Sequence, residues 1–201
     1  MTPPDVTIRA YGEPETRAAG SDDGDAAANA GTDASTDASG LWRLKRAFEL
    51  ELGAGTGGED KAAAYADKLT PRYRKRWLAW VRRCVAEEPG CVVVADAGGS
   101  GEAGSDGAGT PAGLVGYAFV LPESLAFVWD AAVLNEIYVA DDRRGTGVAD
   151  ALVNAATEHA RAQDLPLDRL VLDVDPENDR ARAFYRRHGF EPWGEMVATE
   201  L

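Results

Sequence analysis

One segment restricts the fold of this chain more than any other: a strand pattern leads into a glycine-rich turn and then into an amphipathic helix. Residues 132–139 (AVLNEIYV) have the length and β-branched content of a strand. After the turn at 140–147 (ADDRRGTG), apolar residues recur at helical spacing from Val148 to Arg161. Leu170–Val174 again has the composition of a strand. A strand–helix–strand crossover of this kind predicts a parallel strand pair.

The remaining segments add strands and helices on either side of this unit. Alternation, β-branched content and turn residues mark the strands, whereas apolar spacing, caps and glycine stops mark the helices. We predict strands at 5–11, 91–96 and 113–121, helices at 41–52, 60–68, 71–88 and 175–188, and one or two short strands after 190. The order of elements predicts an α/β fold, a mixed sheet covered by helices.

The length of 201 residues suits one domain, residues 1–201. Two stretches in it have almost nothing to bury. Residues 12–40 carry seven carboxylates against Arg17 alone, and we predict a disordered acidic insertion there. The glycine-rich residues 97–112 predict a flexible loop between two strands.

The charge balance bears on partners. The formal net charge is −13, which would repel nucleic acid phosphates, so we expect no nucleic-acid partner. Four lysines stand against seventeen arginines, and aspartate is abundant. This composition favours a protein adapted to high salt, and a GC-rich genome is the alternative explanation.

The composition also bears on the cellular compartment. We find neither the pattern of a signal peptide nor an apolar run long enough to cross a bilayer, so we expect a cytoplasmic protein without a membrane partner. Cys84 and Cys91 form no C-x-x-C pair and no ligand set with the two histidines. We expect both to be small apolar residues in a reducing compartment, and we expect no metal.

The turn between the strand and the helix has the properties of a phosphate site. The first amides of a helix have no acceptor within the helix and lie at the positive end of its dipole. Gly145 and Gly147 allow a phosphate to approach that backbone, and Arg144 can add charge-assisted hydrogen bonds. The spacing is neither that of a P-loop nor that of a dinucleotide fingerprint. A flexible turn without a ligand is the alternative.

Two motifs in the expected order resemble the GNAT (GCN5-related N-acetyltransferase) superfamily. Residues 144–149 (RGTGVA) fit its R-x-x-G-x-A signature after the fourth strand. About thirty residues later, the superfamily carries an N-x-x-A-x-x-aromatic-Y-x-x-x-G-F segment, which residues 178–190 match. The resemblance extends over residues 91–201, and residues 5–89 agree only in the order of elements. It implies a mostly antiparallel sheet with a splayed parallel strand pair, flanked by helices.

The resemblance also implies how acetyl-CoA would be held. The strand at the turn would bind the pantetheine arm through its backbone, the turn would hold the pyrophosphate through main-chain amides, and the second motif would contact the arm and the sulfur. The cofactor-binding residues implied in this way are Ile137, Tyr138, Val139, Arg144, Gly145, Thr146, Gly147, Val148, Ala149, Asn178 and Tyr185.

The resemblance implies a general acid, and the reaction also requires a general base. Tyr185 would protonate the departing thiolate, which suits a phenol that stays protonated at neutral pH; a core aromatic is the alternative for this position. The attacking amine must also lose a proton. Glu136, on the strand before the turn, is the first candidate, acting directly or through water. Asp173 comes second and Asp175 third, and a water chain without a dedicated base is a further alternative.

The sequence therefore predicts an acetyltransferase that transfers an acyl group to a primary amine, on a small molecule or a protein, in a ternary complex without a metal. A non-catalytic acyl-CoA-binding module is the alternative from another class. A third hypothesis makes residues 12–40 an arm for a cationic partner. The sequence does not specify the acceptor, and it leaves a homodimer open.

Overall fold

The computed structural model describes residues 5–12, 26–55, 58–98, 113–197 and 199. Five strands and five helices form the framework in this part of the chain. In chain order they are β1 (Thr7–Ala10), α1 (Ala26–Gly55), α2 (Gly58–Asp67), α3 (Pro71–Glu87), β2 (Val92–Ala97), β3 (Gly113–Val120), β4 (Ala132–Val139), α4 (Val148–Arg161), β5 (Leu170–Val171) and α5 (Asp179–Arg187). Short 3₁₀ turns at Glu123–Val128 and Asp141–Arg143 flank β4.

The five strands form one sheet in the order β1-β2-β3-β4-β5. The first three pairs are antiparallel, and β4 pairs with β5 in parallel. That parallel pairing has two steps only, Ala132 with Leu170 and Val133 with Val171, after which the two strands separate. The predicted fold class, a mixed and mostly antiparallel sheet with a splayed parallel pair between helices, is confirmed.

Both faces of the sheet are covered, which explains why every residue of β2 is buried. Helices α1 and α3 cover one face with Leu41, Leu44, Trp77 and Val81. Helix α4 covers the other face, where Gly116 permits close packing. A Cβ on this glycine would lie 3.0 Å from Leu152 Cδ1 and 3.0 Å from the Tyr138 carbonyl oxygen.

Local signals explain several boundaries. Thr70 caps α3 by accepting a hydrogen bond from the Tyr73 amide at 3.2 Å, and Pro71 occupies the first turn. Strand β4 and helix α4 have the predicted bounds. In the described ranges, no helix combines the length and the apolar character needed to cross a bilayer.

The structure corrects the sequence prediction in the first half of α1. Residues 26–40 are helical, so the prediction of disorder for 12–40 is wrong for them, and residues 13–25 lie outside the described part. Alanine has the highest helix propensity, and this alanine-rich stretch continues the amphipathic helix that follows it. Of the predicted loop at 97–112, Ala97 belongs to β2, and residues 99–112 lie outside the described part.

The second half of the chain differs from the prediction in three details. Strand β5 ends at Val171, because β4 diverges from it, whereas the prediction ran to Val174. Helix α5 begins at Asp179 rather than at Asp175. Residues 190–197 and 199, the described part of the predicted final strands, contain no strand; Pro192 lacks an amide hydrogen for a ladder.

The two cysteines are buried and free. Burial raises the pKa of Cys91 to about 12 and also raises that of Cys84. Since the thiolate is the reactive form, we expect almost no reaction with Ellman's reagent in the native protein at about pH 8. Denaturant should release both thiols. A fast, stoichiometric reaction of the native protein would contradict this description.

Candidate active site

The turn between β4 and α4 forms a cradle of backbone amides. Gly145 and Gly147 have φ of +76° and +92°, a region that favours glycine. Gly147 precedes α4, and no side chain caps that helix. The Thr146 hydroxyl braces the turn by donating to the Arg143 carbonyl at 2.6 Å. The first amides of α4 therefore remain open to an anion.

Arg144 lies beside this cradle with all three guanidinium nitrogens engaged. Nε donates to the Val139 carbonyl at 3.1 Å, while the two terminal nitrogens lie 2.5 Å from Asp141 Oδ1 and 2.5 Å from Glu51 Oε1. Burial opposes its charge, yet the hydrogen bond to Glu51 and the nearby carboxylates raise the pKa of Arg144. Arg144 thus clamps the end of β4 to helix α1 in this conformation.

Strand β4 has an open backbone edge where it diverges from β5. The Ala140 amide bonds to the Val115 carbonyl in β3, at 2.9 Å. Because alternate residues of an antiparallel strand pair with the same neighbour, the backbone groups of Ile137 and Val139 face away from β3. The Val139 carbonyl accepts from Arg144, while the backbone of Tyr138 faces β3. Two of the three residues predicted to contact the pantetheine arm therefore lie on the open edge.

Helix α5 carries the predicted acid. Tyr185 lies between Phe184 and Phe190, with ring centroids 5.4 and 5.5 Å away, and packs on the α4 side of the sheet. Burial raises the pKa of Tyr185 to about 12. Among the described residues, its hydroxyl has no hydrogen-bond partner. Asn178 caps the helix by accepting from the Ala181 amide at 3.0 Å.

Asp150 ties α5 to α4. In the first turn of α4, its Oδ1 lies 2.8 Å from Arg187 NH2 and 2.8 Å from His188 Nε2. The hydrogen bonds from these two side chains lower the pKa of Asp150, although burial opposes the effect. Asp150 therefore fixes the end of the helix that carries Tyr185.

Glu136, the first candidate base, lies on the opposite face of the sheet from Tyr185. Its side chain is only 6% exposed. Lys45 Nζ lies 2.6 Å from Oε1, the Tyr117 hydroxyl donates to Oε2 at 2.7 Å, and Asn135 donates to Oε1 at 3.2 Å. The carboxylate is thus held by three donors beneath α1, and direct contact with an amine requires one donor to give way.

The network continues from Lys45 to Glu49, one turn further along helix α1. Lys45 Nζ also lies 2.7 Å from Glu49, which accepts from Tyr73 at 2.8 Å and pairs with Lys68 at 2.6 Å. The rings of Phe48 and Trp77 lie 5.0 and 5.4 Å from the Lys45 ammonium. Burial opposes the charge of Glu49, but its cationic partners lower its pKa. The buried carboxylates of Glu49 and Glu136 are therefore paired with the ammonium groups of Lys45 and Lys68.

The other two candidate bases lie at the approach to α5. Asp173 is exposed, and Asp175 is half-buried, 3.9 Å from Lys61 Nζ. Asp175 also accepts a hydrogen bond from the Glu177 amide at 2.9 Å. Among the described residues there is no group of three or more histidine, cysteine or acidic side chains that could hold a metal ion.

The sequence analysis missed Lys45, Glu49 and Glu51. Lys45 and Glu49 stand four residues apart on one helix, a spacing that the sequence displays. That spacing is usual for exposed pairs, so it gave no indication of burial beside Glu136. Glu51 offered no local signal, because its partner Arg144 is 93 positions away.

Comparison with known proteins identifies the family. A model described as "Acetyltransferase (GNAT) family" matches residues 58–190, which is more than half of the chain. The chain belongs to this family. Its splayed strands, glycine turn and uncapped helix lie within the matched region.

Individual relatives match shorter stretches. The chain is 40% identical over 62 residues to an uncharacterized N-acetyltransferase of Methanocaldococcus jannaschii, covering 31% of this chain and 26% of that protein. It is 39% identical over 64 residues to the L-methionine sulfoximine/L-methionine sulfone acetyltransferase of Pseudomonas aeruginosa, covering 32% and 36%. The matches thus span about a quarter to a third of these relatives.

A solved structure supports the fold over a longer range. The PaiA N-acetyltransferase from Thermoplasma acidophilum, in complex with coenzyme A, superposes with a TM-score of 0.52. The match covers 77% of this chain and 84% of that one at 16% identity. At this identity the likeness shows a shared fold.

Proposed function

We propose that the chain is an acetyl-CoA-dependent N-acetyltransferase that transfers the acetyl group directly to a primary amine. The observation that carries the proposal is the uncapped start of α4 behind Gly145 and Gly147, at the end of the open edge of β4. Open helix amides suit a pyrophosphate, and an unpaired strand edge suits an amide-bearing arm. Family membership supports the same coenzyme.

In the proposed reaction, the neutral amine attacks the thioester carbonyl carbon. The carbon–nitrogen bond forms, the carbon–sulfur bond breaks, and the Tyr185 hydroxyl gives its proton to the departing sulfur. Backbone amides on the open edge, at Ile137 or Val139, would donate to the carbonyl oxygen as negative charge develops there. The amine proton passes to a base, and solvent restores the proton of Tyr185.

Glu136 remains the first candidate for the base. Its position on β4, between Lys45 of α1 and Tyr117 of β3, supports a route in which a water relays the proton rather than direct contact. Asp173 and Asp175 remain the alternatives on the other side of the open edge. The acceptor is a primary amine of a small molecule or a protein.

The cradle is best tested at Gly147, because substitution of Arg144 would also break its clamp to α1. A methyl group at Gly147 would occupy the space through which a phosphate approaches the backbone. We expect Gly147→Ala to weaken acetyl-CoA binding at least about tenfold. The measurement is a calorimetric titration at high salt, which suits the acidic composition.

Gly12→Ala is the matched control, since its φ of +90° imposes the same backbone strain at the opposite end of the sheet. We expect this variant to bind acetyl-CoA like the wild type. No binding by any of the three folded proteins would overturn the proposal. Binding without turnover in a broad amine screen would favour the non-catalytic acyl-CoA-binding module.

A further inference from the structure

Glu51 links three elements around the cradle. It lies near the end of α1 with a side chain that is 39% exposed. Its Oε1 accepts from Arg144 at 2.5 Å and from the Tyr138 hydroxyl at 2.9 Å. Its Oε2 lies 3.7 Å from NH2 of Arg180, in the first turn of α5. One carboxylate thus joins α1, the β4–α4 turn and α5.

This carboxylate holds the guanidinium next to the glycine turn. Arg144 has no free nitrogen in this arrangement, since Glu51, Asp141 and the Val139 carbonyl take all three. Glu51 and Asp141 together place two negative charges on one cation. A phosphate that enters the cradle therefore competes with these two carboxylates for Arg144.

Arg180 supplies the second cation of the arrangement. Its side chain is 68% exposed, and its contact with Glu51 is long for a salt bridge, so it can move at little cost. Arg144 and Arg180 come from the turn and from α5, and they converge on Glu51 from the two sides of the proposed coenzyme path. A polyanion between those elements would attract both guanidinium groups.

We propose that Glu51 is an internal counter-ion that competes with the coenzyme phosphates for Arg144 and Arg180, and so sets the affinity of the site. The inference rests on the proposed function and deepens it. In the free protein, Glu51 holds the turn and α5 in place. In the complex, the coenzyme phosphates replace Glu51 as the anion that these two arginines bind. A ligand without phosphates cannot replace Glu51, so its affinity does not depend on this competition.

The test is Glu51→Gln, which keeps the shape and the acceptor for Tyr138 but removes the charge. Calorimetric titration with coenzyme A should show at least about fivefold tighter binding than the wild type at low salt, because a competing anion is lost. The difference should shrink as salt screens the charges. Glu158→Gln is the matched control: it removes one charge from an exposed pair with Arg161, and we expect less than about a twofold change.

A double-mutant cycle separates the specific contact from a general charge effect. In an Arg144→Gln background, the gain from Glu51→Gln should fall well below its value in the wild type, because the shared partner is absent. Arg180→Gln alone should weaken binding severalfold, whereas Arg161→Gln should not. Thermal unfolding of each variant shows whether it is folded.

The outcomes distinguish this inference from the proposed function. If the wild type binds coenzyme A and Glu51→Gln binds equally or more weakly, the inference is overturned and the coenzyme site stands. If only Glu51→Gln binds, both proposals are supported. If neither binds while both are folded, the coenzyme site and the competing counter-ion are overturned together.

Discussion

Replacing Lys45 by methionine should lower the free energy of unfolding by about 3–5 kcal/mol, because the change leaves buried carboxylates without their cation. The Lys45 side chain is 4% exposed and bridges Glu136 and Glu49 at 2.6 and 2.7 Å. Glu49 keeps Lys68, whereas Glu136 keeps only the neutral donors Tyr117 and Asn135. Denaturant titration at neutral pH measures the loss.

The control for this substitution is Lys75→Met on the exposed side of α3, which should change stability by less than about 0.5 kcal/mol. Adding Glu136→Gln to Lys45→Met should recover part of the loss, since it removes the unpaired charge. A loss below about 1 kcal/mol for Lys45→Met would indicate that water reaches the network and solvates the carboxylates.

Acid should weaken the same network. The pKa of Glu49 lies below its ordinary value of 4.5 in the folded protein, although burial opposes the shift, because Lys45 and Lys68 stabilise the carboxylate. A depressed pKa contributes stability that is complete above the ordinary value and is lost as pH falls through the folded pKa. Lys45 makes the largest favourable contribution to this pKa shift. The free energy of unfolding of Lys45→Met should therefore rise less than that of the wild type as the pH increases from the folded pKa of Glu49 to its ordinary value.

Local chemistry explains how much of this structure the sequence predicts. Strand β4 and helix α4 have the predicted bounds, because β-branched residues, paired glycines and a 3.6-residue apolar period all act within a few positions. The cap at Thr70 and the glycine turn follow from the same kind of signal. The cradle of the candidate site could therefore be located from sequence, and so could the position of Tyr185 on α5.

Long-range pairing explains what the sequence does not predict. The partners of Glu136 and Arg144 are Lys45 and Glu51, which lie 91 and 93 positions earlier in the chain. No periodicity in the sequence connects residues so far apart. The Glu136 carboxylate, which the sequence predicted to act on a substrate, is therefore found in an ion pair with the Lys45 ammonium. The helix at 26–40 was missed for another reason: with little to bury, its composition resembles that of a disordered segment, although alanine favours a helix.

Replacing Tyr185 by phenylalanine should lower kcat about a hundredfold or more while acetyl-CoA affinity changes less than about threefold. General acids contribute about 10²–10⁴ in rate, and a thiolate needs less help than most leaving groups, so the lower end is expected. The hydroxyl has no partner among the described residues, and the ring packing against Phe184 and Phe190 persists in the variant. Thiol release during acetylation of an amine found by screening measures the rate, and calorimetry measures the affinity.

The pH profile and a second tyrosine complete this test. Burial raises the pKa of Tyr185 to about 12, so the acid form required for proton donation persists across the working range and is lost only as pH rises through that value. The wild type should therefore show no alkaline fall in kcat from this group below about pH 11. Tyr11→Phe, at a buried tyrosine that follows β1 and is separated from β4 by two strands of the sheet, should leave kcat unchanged. If Tyr185→Phe also retains the full rate, water supplies the proton and Tyr185 serves as a core aromatic between Phe184 and Phe190.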